Sequence, residues 1–129
     1  MKSAVVLFLL ASTATSAWAL DVSRLPDSCK TVVDGSKADK PQYSQLGGVM
    51  TKARKAKDSA AFCAAAKDMI SLISSESERV DLCLGELAGD KTVTPDTVGQ
   101  FTEIRTYYHK FLAASKDPAN DHMHCGLAN

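Results

Sequence analysis

Residues 59–88 read SAAFCAAAKDMISLISSESERVDLCLGELA, and their period decides the fold. Phe62, Ala66, Met69, Ile73, Val80, Leu84 and Leu87 recur at steps of three and four, which places them on one face of a long α-helix. Asp58 or Ser59 can cap its start and Gly89 its end. The stripe weakens at Ser74–Ser77. Two outcomes are open there: the helix bends at the serines, or it continues with a polar patch facing outward. Glu76, Glu78, Asp81 and Glu86 lie along its later half and read as a solvated acidic face.

Downstream, Thr94 is placed to cap a helix whose first turn holds Pro95 and Asp96, both favoured there. Val98, Phe101, Ile104, Tyr108, Phe111 and Leu112 form its apolar face. Asp117-Pro118 ends it, leaving an irregular tail over 117–129. Upstream, Val22, Leu25, Cys29, Val32 and Val33 keep helical spacing, with Pro26 near the first turn and Gly35 where a C-terminal cap falls. The polar run 35–40 (GSKADK) reads as a connector. A further helix is expected to open at Pro41 and to carry Tyr43, Leu46, Met50 and Ala53 on one stripe. No alternating strand pattern and no internal repeat stand out. The expected fold is therefore all-α: a small antiparallel bundle of about four helices stapled by two disulfides, forming one domain over 20–129.

Residues 1–19 read as an export signal. Lys2 supplies the positive start, residues 4–11 (AVVLFLLA) the apolar core, and Ala17-Trp18-Ala19 the small-x-small cleavage pattern. Cleavage after Ala19 leaves a mature chain that starts at Leu20, has no tryptophan and is expected to be soluble, without membrane insertion. The apolar run is shorter than the roughly 20 residues of a membrane-spanning helix. Export places the protein in the periplasm or outside the cell, where its four cysteines form cross-links rather than a zinc site. They contain no C-x-x-C pair, which disfavours a zinc knuckle or a thioredoxin-like centre.

The disulfide pairing follows from geometry. Cys63 and Cys83 are separated by about 30 Å in an unbroken helix, against the roughly 6 Å between Cα atoms that a disulfide tolerates. With antiparallel elements, Cys29 falls at the Cys83 end and Cys125 returns to the Cys63 end. Of three possible connectivities, Cys29–Cys83 with Cys63–Cys125 is favoured.

Charge and motifs narrow the function classes. Lys2 is the one charged residue in 1–19, so the mature chain keeps 14 of the 15 basic and all 15 acidic side chains. A near-neutral chain lacks the positive field of a nucleic-acid binder. The basic run Lys52–Lys57 suits the negative end of a helix and needs no phosphate to explain it. Gly47-Gly48 lies inside a helical stretch, where it is read as allowing close helix packing rather than as a phosphate loop. In the tail, Asp121-His122-Met123-His124-Cys125 gathers imidazole, thioether and carboxylate groups. His122, His124 and Met123 are the candidate ligands for copper or zinc, with a disulfide-anchored solvated tail as the plainer reading. His109, beside Tyr107 and Tyr108, has no nucleophile tied to it.

The size, export signal and helical content are shared with small secreted carriers such as insect odorant-binding proteins, but their cysteine framework includes a C-x3-C pair that this chain lacks, and that difference rules the match out. The overall plan is also similar to that of small periplasmic helical proteins, acid-stress chaperones among them. The expected function is an exported, non-enzymatic helical module without cofactor, binding a protein or a small apolar partner. A metal-binding role through the His-Met-His tail and a stress-related chaperone-like role are the alternatives, and a small hydrolase ranks below both.

Overall fold

A computed structural model describes residues 22–127. The expected signal segment, its cleavage point and Leu20 lie outside these residues. After a 3-10 turn at Val22–Arg24 come three long helices, α1 (Asp27–Lys55), α2 (Ser59–Leu87) and α3 (Pro95–Lys116), and a last 3-10 turn at Pro118–Asn120. No strand occurs among the described residues.

The expectation of about four helices is corrected to three among the described residues. α1 runs unbroken through both the polar 35–40 segment and Pro41. Two local breaker signals lose to tertiary packing. Gly35 ends no helix: it lies where α1 crosses Arg79 of α2, and a Cβ there would overlap the Arg79 Nη1. Pro41 removes one backbone hydrogen bond and crowds the carbonyl one turn back, a cost of about 3 kcal/mol. Offsetting it, α1 buries Cys29, Val32 and Val33 before the proline and Ala53 after it, holding one axis along the α2 face. Pro26 sits just ahead of the helix, its carbonyl accepting from the Cys29 and Lys30 amides.

α1 closes with the Asp58 amide bonded to the Ala53 carbonyl at 2.9 Å and with Lys57 in the left-handed region, φ 56°. This is the 6→1 closure of a Schellman motif. The same Asp58 then caps α2, its carboxylate accepting from the Ala61 amide at 3.0 Å. One residue thus ends one helix's turn and starts the next, which makes the connection short and the hairpin tight. Arg54 lies 5.6 Å from the centre of the Phe62 ring across that turn, so the basic run has a structural role on both counts.

α2 is unbroken through the serines. The polar patch there does not face outward as a whole: Ser75 is exposed and Ser74 half-buried, but Glu76 is fully buried and Ser77 nearly so. α1 and α3 both pack on α2. Their common core contains Leu25, Cys29, Val32, Met69, Ile73, Val80, Cys83, Leu87, Phe101 and Tyr108. On α3, Phe101 and Tyr108 are the buried members of the expected apolar face, whereas Val98, Ile104, Phe111 and Leu112 are half-buried against the core. Each fully buried large side chain contributes about 1.5–3 kcal/mol. Thr94 caps α3 through its hydroxyl to the Thr97 amide at 3.4 Å, and Asp117 closes it.

Two disulfides tie the helices, at the pairing that the end-to-end argument favours. Cys29–Cys83 spans a Cα separation of 4.6 Å and Cys63–Cys125 one of 5.2 Å. The first is sealed in the core between α1 and α2; the second ties the C-terminal tail to the first turns of α2.

Candidate functional site

The tail places its candidate ligands on the surface. The Asp121 carboxylate accepts from the Cys125 amide at 2.6 Å and the Gly126 amide at 2.9 Å, and these two bonds hold its pKa below the ordinary value, with His124 and His122 adding to the effect. Asp121 is therefore engaged in shaping the turn. The Met123 carbonyl accepts from the Ser59 hydroxyl at 3.2 Å, which docks the tail on the start of α2. His124 takes a left-handed φ of 56°, and both His122 and His124 are exposed. Cys125 is oxidised and offers no thiolate. Among the described residues no group of three or more His, Cys, Asp or Glu side chains is placed to hold a metal ion.

The acidic side chains of α2 do not act as one face. Asp81 bridges to α3 as an ion pair, with Arg105 Nε 2.8 Å from one carboxylate oxygen and His109 Nε2 3.6 Å from the other. His109 therefore faces α2 rather than the tail histidines. Glu78 and Glu86 are exposed. On the outer side of α3, Thr102, Arg105, Thr106, His109, Lys110 and Ala113 line a shallow, open depression. Nothing lies within 4 Å of a Cβ built on Gly47 or Gly48, so the expected close packing at these glycines is not found.

Glu76 is the group that sequence reasoning misplaced. It is buried to 0 % exposure on the seam of the three helices. Arg79, one turn later on α2, directs Nη1 to Glu76 Oε1 at 3.0 Å and to Asp39 Oδ2 of α1 at 3.3 Å. One guanidinium nitrogen thus serves two carboxyl groups. Glu76 Oε2 and the Tyr43 hydroxyl are sealed from solvent without a well-aligned hydrogen-bond partner. The Glu76 carboxyl is pushed up to about 8, by burial first and then by Asp39, as hydrogen-bond acceptor and as like charge, against the opposing pull of Arg79. Burial also raises the Tyr43 and Tyr108 phenols above their ordinary value, with Tyr108 and Glu76 adding to the effect at Tyr43, and Glu76 and Tyr107 at Tyr108.

The signal for this cluster was present in the period. Steps of 69, 73, 76, 80, 83 and 87 form an unbroken three-and-four ladder, and position 76 fills its missing rung. Its partners Asp39 and Arg79 are 40 residues apart in the chain, so no local pattern joins them. Chemically, this arrangement can hold a proton between two carboxyl groups and tie α1 to α2 through Arg79.

Comparison with protein-family models, with characterised proteins and with solved structures finds no match to this chain.

Proposed function

We propose that this chain is an exported, non-enzymatic helical module that binds a protein partner through the outer surfaces of its helices. The observation that carries this reading is the filled centre. Met69, Ile73, Val80 and Phe101 are each 1 % exposed or less, so a small apolar ligand has no room between the helices without displacing core side chains. Two disulfides fit an oxidising compartment, and no described helix is long and apolar enough to cross a membrane. The open depression on α3, with Arg105, His109 and Lys110 around it, suits a broad and partly acidic protein surface better than a small molecule.

Photo-crosslinking in the exporting cell tests this. A benzophenone side chain at Thr106 is expected to give one discrete protein adduct that the same group at Gln45 on α1 does not. Stoichiometric co-purification of an apolar small molecule, read by native mass spectrometry, would overturn the reading in favour of a carrier.

A second reading, the stress-related chaperone-like role, draws on Glu76. A buried carboxyl that prefers its proton favours the folded form in acid, so a client would be bound by the folded surface rather than by an unfolded chain. Client aggregation at pH 3 followed together with near-ultraviolet circular dichroism checks it; protection that appears only once the tertiary signal is lost counts against it.

A further inference from the structure

We propose that Asp39, Glu76 and Arg79 form a proton-operated brace between α1 and α2, closed while the two carboxyl groups share one proton and loosened when that proton is lost to solvent. The charge count at the cluster motivates it. Two ionised carboxylates against one guanidinium leave an uncompensated negative charge, and Glu76, with no exposed surface, is where that charge would be sealed. Retaining one proton brings the cluster to neutrality. As a carboxylate Glu76 leaves Oε2 sealed without a partner, whereas the protonated carboxyl gains a donor for which the Asp39 side chain is an acceptor.

The groups that face Glu76 come from all three helices. Asp39 and the Tyr43 phenol come from α1, Arg79 from α2, and the Tyr108 phenol, edge-on to Tyr107, from α3. Both phenols remain neutral through the range in which Glu76 titrates, because burial raises them. The other charges nearby in sequence, Asp34, Lys37, Lys40 and Asp81, are exposed. Gly35 lets α1 approach until the Arg79 guanidinium lies against its backbone, so the cluster sits where an α2 side chain packs directly on the α1 main chain.

The sign follows from linkage. The folded protein holds the Glu76 proton more tightly than the unfolded chain does. The stabilisation this supplies is complete below the ordinary glutamate value of 4.5 and is lost as pH rises toward about 8. This is opposite in direction to the usual acid lability of paired carboxylates.

Carbon-detected NMR titration of the glutamate-labelled, disulfide-intact protein reads it directly. The Glu76 carboxyl is expected to titrate near 8. The E76Q variant, which mimics the protonated form, is expected to lose the fall in unfolding midpoint between pH 4.5 and 8 that the original protein shows, and to be the more stable of the two above pH 8. In D39N the Glu76 midpoint is expected to move down. Glu76 titrating near the ordinary value of 4.5, or an E76Q variant with the original pH slope, overturns the brace; an unmoved midpoint in D39N overturns the sharing of the proton.

Discussion

Gly35 of α1 lies against the guanidinium of Arg79 of α2 so closely that any β-carbon at position 35 would overlap Nη1. The end of an arginine side chain ordinarily moves aside at little cost. Here it cannot do so freely, because the same nitrogen holds Glu76 and Asp39.

Two glycine substitutions in the same helix are therefore expected to act in opposite directions. Gly35→Ala gains helix propensity of about 1 kcal/mol yet displaces Arg79 from its carboxylates, for a net destabilisation of about 1–2 kcal/mol. Gly48→Ala meets nothing within 4 Å and gains about 0.5–1 kcal/mol. Urea unfolding of both variants measures this. A stabilised Gly35→Ala would show that Arg79 is not held.

The two disulfides are expected to open in order. Cys29 and Cys83 are each 0 % exposed, whereas Cys63 and Cys125 are half-buried at the tail. A thiol attacking from solvent reaches the second pair first. Loops of 54 and 62 residues each correspond to about 4 kcal/mol by the chain-entropy account, so access rather than loop length sets the order. Limiting reductant followed by alkylation and peptide mapping is expected to label Cys63 and Cys125 before Cys29 and Cys83; the reverse order would contradict the burial.

Replacing both His122 and His124 with alanine is expected to leave the unfolding temperature unchanged, with or without added copper or zinc. Both imidazoles are exposed and Asp121 is engaged with backbone amides. A ligand raises stability only if it binds the folded form more tightly than the unfolded chain. A metal-dependent thermal shift in the original protein that disappears in the double variant would instead establish the tail as a metal site.

What was legible in the sequence is what depends on one helix at a time. The stripe from Phe62 to Leu87, the caps at Asp58 and Thr94, and the stop at Asp117-Pro118 are local, and the structure places them where the pattern does. The cysteine pairing needed only helix length and chain direction. The misreadings at Gly35, Pro41 and Glu76 share one cause, packing between helices: Gly35 and Glu76 meet partners across the α1–α2 contact, and α1 runs through Pro41 because it is buried on both sides of it. Glycine and proline break isolated helices, and glutamate beside three other acids signals solvent. Only the packed pair of α1 and α2 reveals that Gly35 makes room for Arg79 and that Arg79 makes room for Glu76.

Removing the cation at the centre of the cluster gives the most exacting prediction. In R79A, Asp39 and Glu76 keep their positions without the guanidinium between them. Near pH 8 part of the Glu76 population is ionised, and the loss is expected to be about 1–3 kcal/mol, moderated by the one-third exposure of the Arg79 side chain. At pH 4.5 Glu76 is protonated in the folded protein, only Asp39 lacks its partner, and the cost falls below that measured at pH 8. Adding E76Q to R79A removes the buried charge that the arginine neutralised, so the double variant is expected to be more stable at pH 8 than the sum of the single changes, with a coupling above about 0.5 kcal/mol. Urea unfolding of the four proteins at the two pH values completes the cycle. Equal costs for R79A at pH 4.5 and 8, or strict additivity with E76Q, would mean that Arg79 supports the helices by packing alone and that the carboxyl pair does not depend on it.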